Sequence, residues 1–179
     1  MDDPHHRPQM DAFDSLSVLL YRGAWLSLAA ILLYGCWPLL TGGHAVVPLW
    51  LLVASVAMLG AQLHIYLKPV RVVLQLAAWS ALALALIYYR WHWPLAASLS
   101  LGACYVVAAG LSYKESFCFQ FGPLRLLPIV FVADWLAAQF AVGRVVTLPV
   151  LALGVSYIAI AKCRQPLDFD IGDKSKYQY

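Results

Sequence analysis

Asp134 is the only one of nine acidic residues that falls inside a long apolar run. A charged carboxylate at the centre of a membrane helix costs about 2.5–3.5 kcal/mol, so this one must be protonated, paired or hydrated. The chemistry open to it is proton coupling or ion binding. The plainer alternative is a neutral acid hydrogen-bonded to a helix neighbour such as Tyr105 or Tyr157. At helical spacing its face also carries Ala138 and Ala141.

A second group of polar residues surrounds one proline in the stretch GAQLHIYLKPVRVVLQ, residues 60–75. His64 lies one helical turn from Gly60 and from Lys68, on a face shared with Ala57 and Ala61. A histidine there can ligate the iron of haem or the magnesium of chlorophyll, which makes His64 the candidate cofactor ligand for a tetrapyrrole; it can also simply hydrogen-bond a neighbouring helix. Arg71 and Gln75 share a face beyond the proline, and Lys114 and Glu115 close a later apolar run on the same side. An acid at that boundary needs a cation, and Lys68 or Arg71 is the expected partner. Two roles follow: a cationic pocket for a lipid headgroup or small anion, or an ion-pair clasp joining two hairpins, the latter being favoured. No catalytic residue and no metal site is expected, because glycine-rich phosphate loops, GxSxG, HExxH and paired carboxylates on one segment are missing. Cys118 has only Glu115 nearby as a base, and the four cysteines show no metal-ligand spacing.

These residues sit in a chain that is 63% hydrophobic and 12% charged, with mean hydropathy +0.74, far more apolar than a soluble domain. The bilayer is therefore the first partner, and a net charge of +3 without a basic patch argues against nucleic acid. The sequence divides into a polar N-terminal tail (1–15), a transmembrane domain (16–161) and a polar cytoplasmic tail (162–179). The first tail lacks signal-peptide features, so the first span is expected to be retained. The fold expected is an all-α membrane bundle of six transmembrane helices, over residues 16–40, 46–67, 70–89, 94–113, 123–142 and 145–161. Pro69 is read as the stop of the second span, and Arg22 as a cation snorkelling to the interface. Pro128 and Pro149 are read as interior prolines that bend their helices.

With six spans, ten of the twelve cations fall on one side: Arg7, Arg22, Lys68, Arg71, Lys114, Arg125, Lys162, Arg164, Lys174 and Lys176. Only Arg90 and Arg144 fall on the other, which predicts that both termini face the cytoplasm. Stripes of small residues at i, i+4 spacing predict close packing: Ala77, Ala81 and Ala85; Ala96, Ser100, Cys104, Ala108 and Ser112; Ala133, Ala137 and Ala141.

Three segments, HIYLKPVRVVLQ from His64, YKESFCF from Tyr113 and DFDIGDKSKY from Asp168, occur in an order that resembles an uncharacterised family of small bacterial integral membrane proteins, found notably in cyanobacteria and other phototrophs. The resemblance adds no activity. It implies that His64, Gln75, Lys114, Glu115, Asp173 and Lys174 belong together, while Val70-Arg71 departs from the histidine-containing basic pair expected there. The reading that follows is a multi-pass inner-membrane protein of a bacterial cytoplasmic or photosynthetic membrane. It is expected to be an accessory or assembly factor binding a partner membrane protein, a lipid or a second copy through Lys68, Arg71, Gln75, Lys114, Glu115, Asp173 and Lys174. A small transporter using Asp134 and a tetrapyrrole protein using His64 are the alternatives.

Overall fold

A computed structural model describes residues 10–63, 65, 67–140 and 144–171. His64, Asp173, Lys174 and Ala141 lie outside the described residues. All regular structure among them is helical: α1 (Ala12–Cys36) continues into a 3-10 turn (Trp37–Thr41), then α2 (Leu49–Ala61), α3 (Lys68–Trp91), α4 (Pro94–Cys118), a 3-10 turn (Gly122–Leu126), α5 (Leu127–Gln139), α6 (Thr147–Arg164) and α7 (Asp168–Ile171). Four of these are long and apolar enough to cross a membrane, namely α1 with its 3-10 extension, α3, α4 and α6, and α2 is a shorter apolar helix.

Local chemistry sets the helix ends. Asp11 accepts from the Asp14 amide at 2.7 Å and Asp14 accepts from the Asp11 amide at 3.1 Å, a reciprocal cap that starts α1 four residues before the apolar run. Pro69, Pro94 and Pro128 all stand in the first turns of their helices, where no intrahelical donor is lost. Pro128 is therefore a start signal rather than an interior bend, and Pro149 is the third residue of α6, also within its first turn. The second helix is shorter than its apolar run: Pro48 caps it, and it stops at Ala61, well before Pro69. At the other extreme α4 runs on through Lys114 and Glu115 to Cys118, so the connection expected there begins later.

Each of α1 to α6 packs beside its neighbours in the chain, and α6 returns to lie along α1, closing a ring, with α2 also reaching α4. The α3–α4 hairpin is the tightest part. Ala96, Ser100, Cys104, Ala108 and Ser112 are all buried, as the stripe requires, and the Ser100 hydroxyl donates to the Ala81 carbonyl at 2.8 Å. On α3 the buried set is Leu74, Ala78, Ala81 and Ala85, one residue round from the expected Ala77 edge. On α5 the expected alanine stripe is overturned: Ala133 is exposed, and Leu127, Phe131 and Asp134 face inward. A carboxylate that must find partners outweighs the small packing gain of an alanine. The outer surface is apolar, with Leu33, Val73, Leu86, Leu153 and Ile160 exposed, as lipid-facing positions should be.

Candidate functional site

The side chains with most chemical capacity form two buried polar clusters. The first lies at the end of the bundle where α1 begins and α4 and α6 finish. Tyr21 and Arg22 come from the third turn of α1, Glu115 from the last turn of α4, and Lys162 from the last turn of α6. Glu115 is fully buried; it accepts from the Tyr21 hydroxyl at 3.0 Å, pairs with the Lys162 ammonium at 2.8 Å, and has Lys114 at 3.5 Å. Lys162 also donates to Asp170, and Arg22 grips the same carboxylate with Nε at 2.7 Å and Nη2 at 2.6 Å. The result is a chain of alternating charge, Glu115–Lys162–Asp170–Arg22, across α4, α6, α7 and α1. Rings sheathe its cations, with Lys162 5.7 Å from the Tyr21 ring and 5.6 Å from Phe119.

Arg22 does not snorkel. It is 7% exposed, because the segment after α6 folds back over it: Nη1 donates to the Gln165 carbonyl at 2.7 Å and Nη2 to that of Pro166 at 2.8 Å. The start of the C-terminal tail thus docks on its own chain, through Asp170 and Ile171, both buried.

The second cluster surrounds Asp134, also fully buried. The Tyr105 hydroxyl donates to one carboxylate oxygen at 2.7 Å and the Thr147 hydroxyl to the other at 2.7 Å. Arg144, from the turn before α6, reaches both oxygens with Nε at 3.1 and 3.0 Å, and its Nη2 touches Asp134 and the Tyr105 oxygen. Burial alone would disfavour the charged guanidinium, but the hydrogen bonds and charge of Asp134 outweigh it and hold the Arg144 pKa above its ordinary value. Tyr105 was legible as a partner; Tyr157 instead stacks on Phe121.

Of the residues expected at the inner end, the structure brings Lys114 and Glu115 together, and among the described residues no hydrogen bond or ion pair joins Lys68, Arg71 or Gln75 to Glu115. Lys68 is exposed, Arg71 is half-buried with Nη1 3.4 Å from the Ile65 carbonyl, and Gln75 is half-buried. Glu115 is held from α6 by Lys162 and from α1 by Tyr21. Sequence reasoning missed Arg22, Lys162, Asp170 and Arg144 as members of these clusters. The available signals were a lone arginine inside an apolar run and an acid-rich stretch, Asp168–Asp170, seven residues past the last one. Among the described residues no group of three His, Cys, Asp or Glu side chains is placed to hold a metal ion.

Residues 58–179 match the family described as "Uncharacterized integral membrane protein (DUF2301)". An uncharacterized protein of Haemophilus influenzae is 34% identical over 182 residues, covering 99% of both chains. No solved structure matches. The match takes in the Asp134 cluster and all of the first cluster except Tyr21 and Arg22, and with a relative aligned over 99% of both chains it leads to one conclusion: the chain belongs to the DUF2301 family of uncharacterized integral membrane proteins.

Proposed function

We propose that this is a six-span protein of the bacterial inner membrane with both termini in the cytoplasm, serving as a non-catalytic accessory or assembly factor that binds a partner membrane protein through its cytoplasmic end. The six-span reading draws support from chain direction. The Ser17 hydroxyl near the start of α1 donates to Gln62, just after α2, at 2.6 Å, so α2 brings the chain back to the end where α1 began. Likewise α4 and α6 finish at the same end, which gives α5 the task of carrying the chain across between them. At 13 residues, α2 and α5 are each about 20 Å long, and the 3-10 turn Gly122–Leu126 lengthens α5 toward a full crossing. Reporter fusions after Gly42 and His92 should read outside, and those after Gln120 and at the C-terminus inside. A fusion after Gln120 that reads outside would sink this topology.

The observation that carries the functional reading is how charge is sorted at the inner end. Glu115 and Asp170 are consumed by internal cations, whereas Arg125 and Arg164 are exposed, Arg125 lying 5.1 Å over the exposed Phe117 ring, and Phe169 is exposed as well. A basic and aromatic rim of this kind suits an acidic partner surface. A photo-crosslinking residue at Phe117 or Phe169 in living cells should give one defined membrane-protein adduct, and the same probe at Trp91 should not. Adducts to lipid alone from both inner positions would overturn the proposal.

The transport alternative needs Asp134 to exchange a proton or cation. Both its oxygens are occupied by Tyr105, Arg144 and Thr147, which favours a structural role. Proton flux in liposomes that disappears in Asp134→Asn would reverse that preference.

A further inference from the structure

The donors of Arg22 that the structure places all go to one short stretch of chain: Asp170, the Gln165 carbonyl and the Pro166 carbonyl. We propose that Arg22 and Lys162 form a phosphate-binding site at the inner end of the bundle, and that the Asp170 carboxylate occupies it as an internal stand-in for phosphate oxygens.

Three observations carry this. First, the cations belong to the frame and the anion does not. Arg22 and Lys162 project from α1 and α6, which pack along each other, so their spacing persists whether or not the tail is docked. Second, the stand-in is held mainly by the ion pairs that a phosphate would replace, on an element too short to be stable alone. Helix α7 is a single turn of four residues, too short for intrinsic stability; Phe169 within it is 64% exposed, and its buried side chains are Asp170 and Ile171. Once a phosphate satisfies the two cations, little in a one-turn helix would keep it docked. Third, undocking would leave Arg22, Lys162 and the nearby Lys114 facing the single carboxylate of Glu115, a surplus of positive charge at a membrane–water boundary. A guanidinium fork beside an ammonium is the donor set that recognises phosphate oxygens, and Asp170 already bridges the two, with Oδ1 on Lys162 and Oδ2 on Arg22. The ligand is thus a phosphate group, carried by an anionic lipid headgroup or free in the cytoplasm. The site stands whether or not a protein partner binds the rim, so failure of the crosslinking test leaves it intact.

The test uses the full chain in nanodiscs, titrated with phosphatidylglycerol against a phosphatidylcholine background, and separately with inorganic phosphate. Asp170→Asn should bind at least tenfold more tightly than the wild type. The gain should vanish when Arg22→Gln is added and persist when Arg90→Gln, at the opposite end, is added. Tightening seen with phosphatidylglycerol but not with inorganic phosphate identifies a lipid headgroup, and tightening with both identifies phosphate itself. Equal binding by wild type and Asp170→Asn in both titrations overturns the site. Hydrogen exchange on the unmodified protein decides the matter if that variant fails to fold: backbone amides of residues 165–171 should exchange several-fold faster in phosphatidylglycerol or with phosphate. Unchanged exchange under both conditions overturns the proposal.

Discussion

Asp134 and Glu115 are held by groups that hydropathy alone would assign to other duties. Arg144 counts as one of two outer-side cations in a charge census, yet it closes on an acid ten residues earlier. Arg22 and Asp170 are 148 residues apart, a pairing that no local pattern reveals. What was legible was need rather than identity: an acid inside an apolar run requires a partner, and Tyr105 was one of two candidates in reach. Breaking either pair should be costly, about 3–5 kcal/mol when one buried charge is left alone. Asp134→Asn and Arg144→Gln are each expected to lower thermal stability in detergent strongly. The double variant should lose much less than their sum; strict additivity would show that the pair contributes no coupling. Around Glu115 the two lysines should separate cleanly. Lys162→Met, with its side chain 3% exposed, is expected to destabilise by several kcal/mol, whereas Lys114→Met, at 29%, should cost at most about 1 kcal/mol.

Helices were easier to read than contacts between charges, and their failures have particular causes. The α4 stripe was legible because five small residues at i, i+4 spacing admit one buried face. The α5 stripe misled because Ala133 and Asp134 are neighbours on the wheel and cannot share the interior equally. Prolines were read at fault wherever the helix began later than the apolar run did, as at Pro128. Close approach explains one glycine and exempts another. A Cβ on Gly60 would come within 2.5 Å of the Ala78 Cβ, which cannot swing away, whereas one on Gly23 meets nothing within 4 Å. Gly60→Ala should force α2 from α3 and cost roughly 1–3 kcal/mol. Gly23→Ala should be neutral or stabilising by up to about 1 kcal/mol, since alanine loses less backbone entropy in a helix. Melting curves for the two variants check both values, and equal losses would deny the α2–α3 contact its role.

At the scale of the molecule, the bundle is a ring whose first and last long helices meet, and the two clusters tie α6 at both ends: Thr147 to Asp134 at its start, Lys162 to Glu115 near its finish. The membrane class of the chain was legible from composition alone; the closure of the ring was not, because hydropathy orders helices along the chain and says nothing of which first and last members touch. That closure bears on biosynthesis. The partner of Arg22 is made 148 residues after it, which at the usual pace of synthesis is roughly 7–30 s. Throughout that interval the first helix carries an arginine whose counter-charge does not yet exist. Emergence of Asp170, rather than insertion of any one helix, is the event that neutralises it. A nascent chain stopped at Gln165 would keep that charge exposed and should be cleared faster than the full protein in a pulse-chase, with Arg22→Leu restoring its lifetime; equal lifetimes would contradict this. The same pair that fastens the segment after α6 therefore makes the charge of the first helix wait on one of the last parts of the bundle to be made.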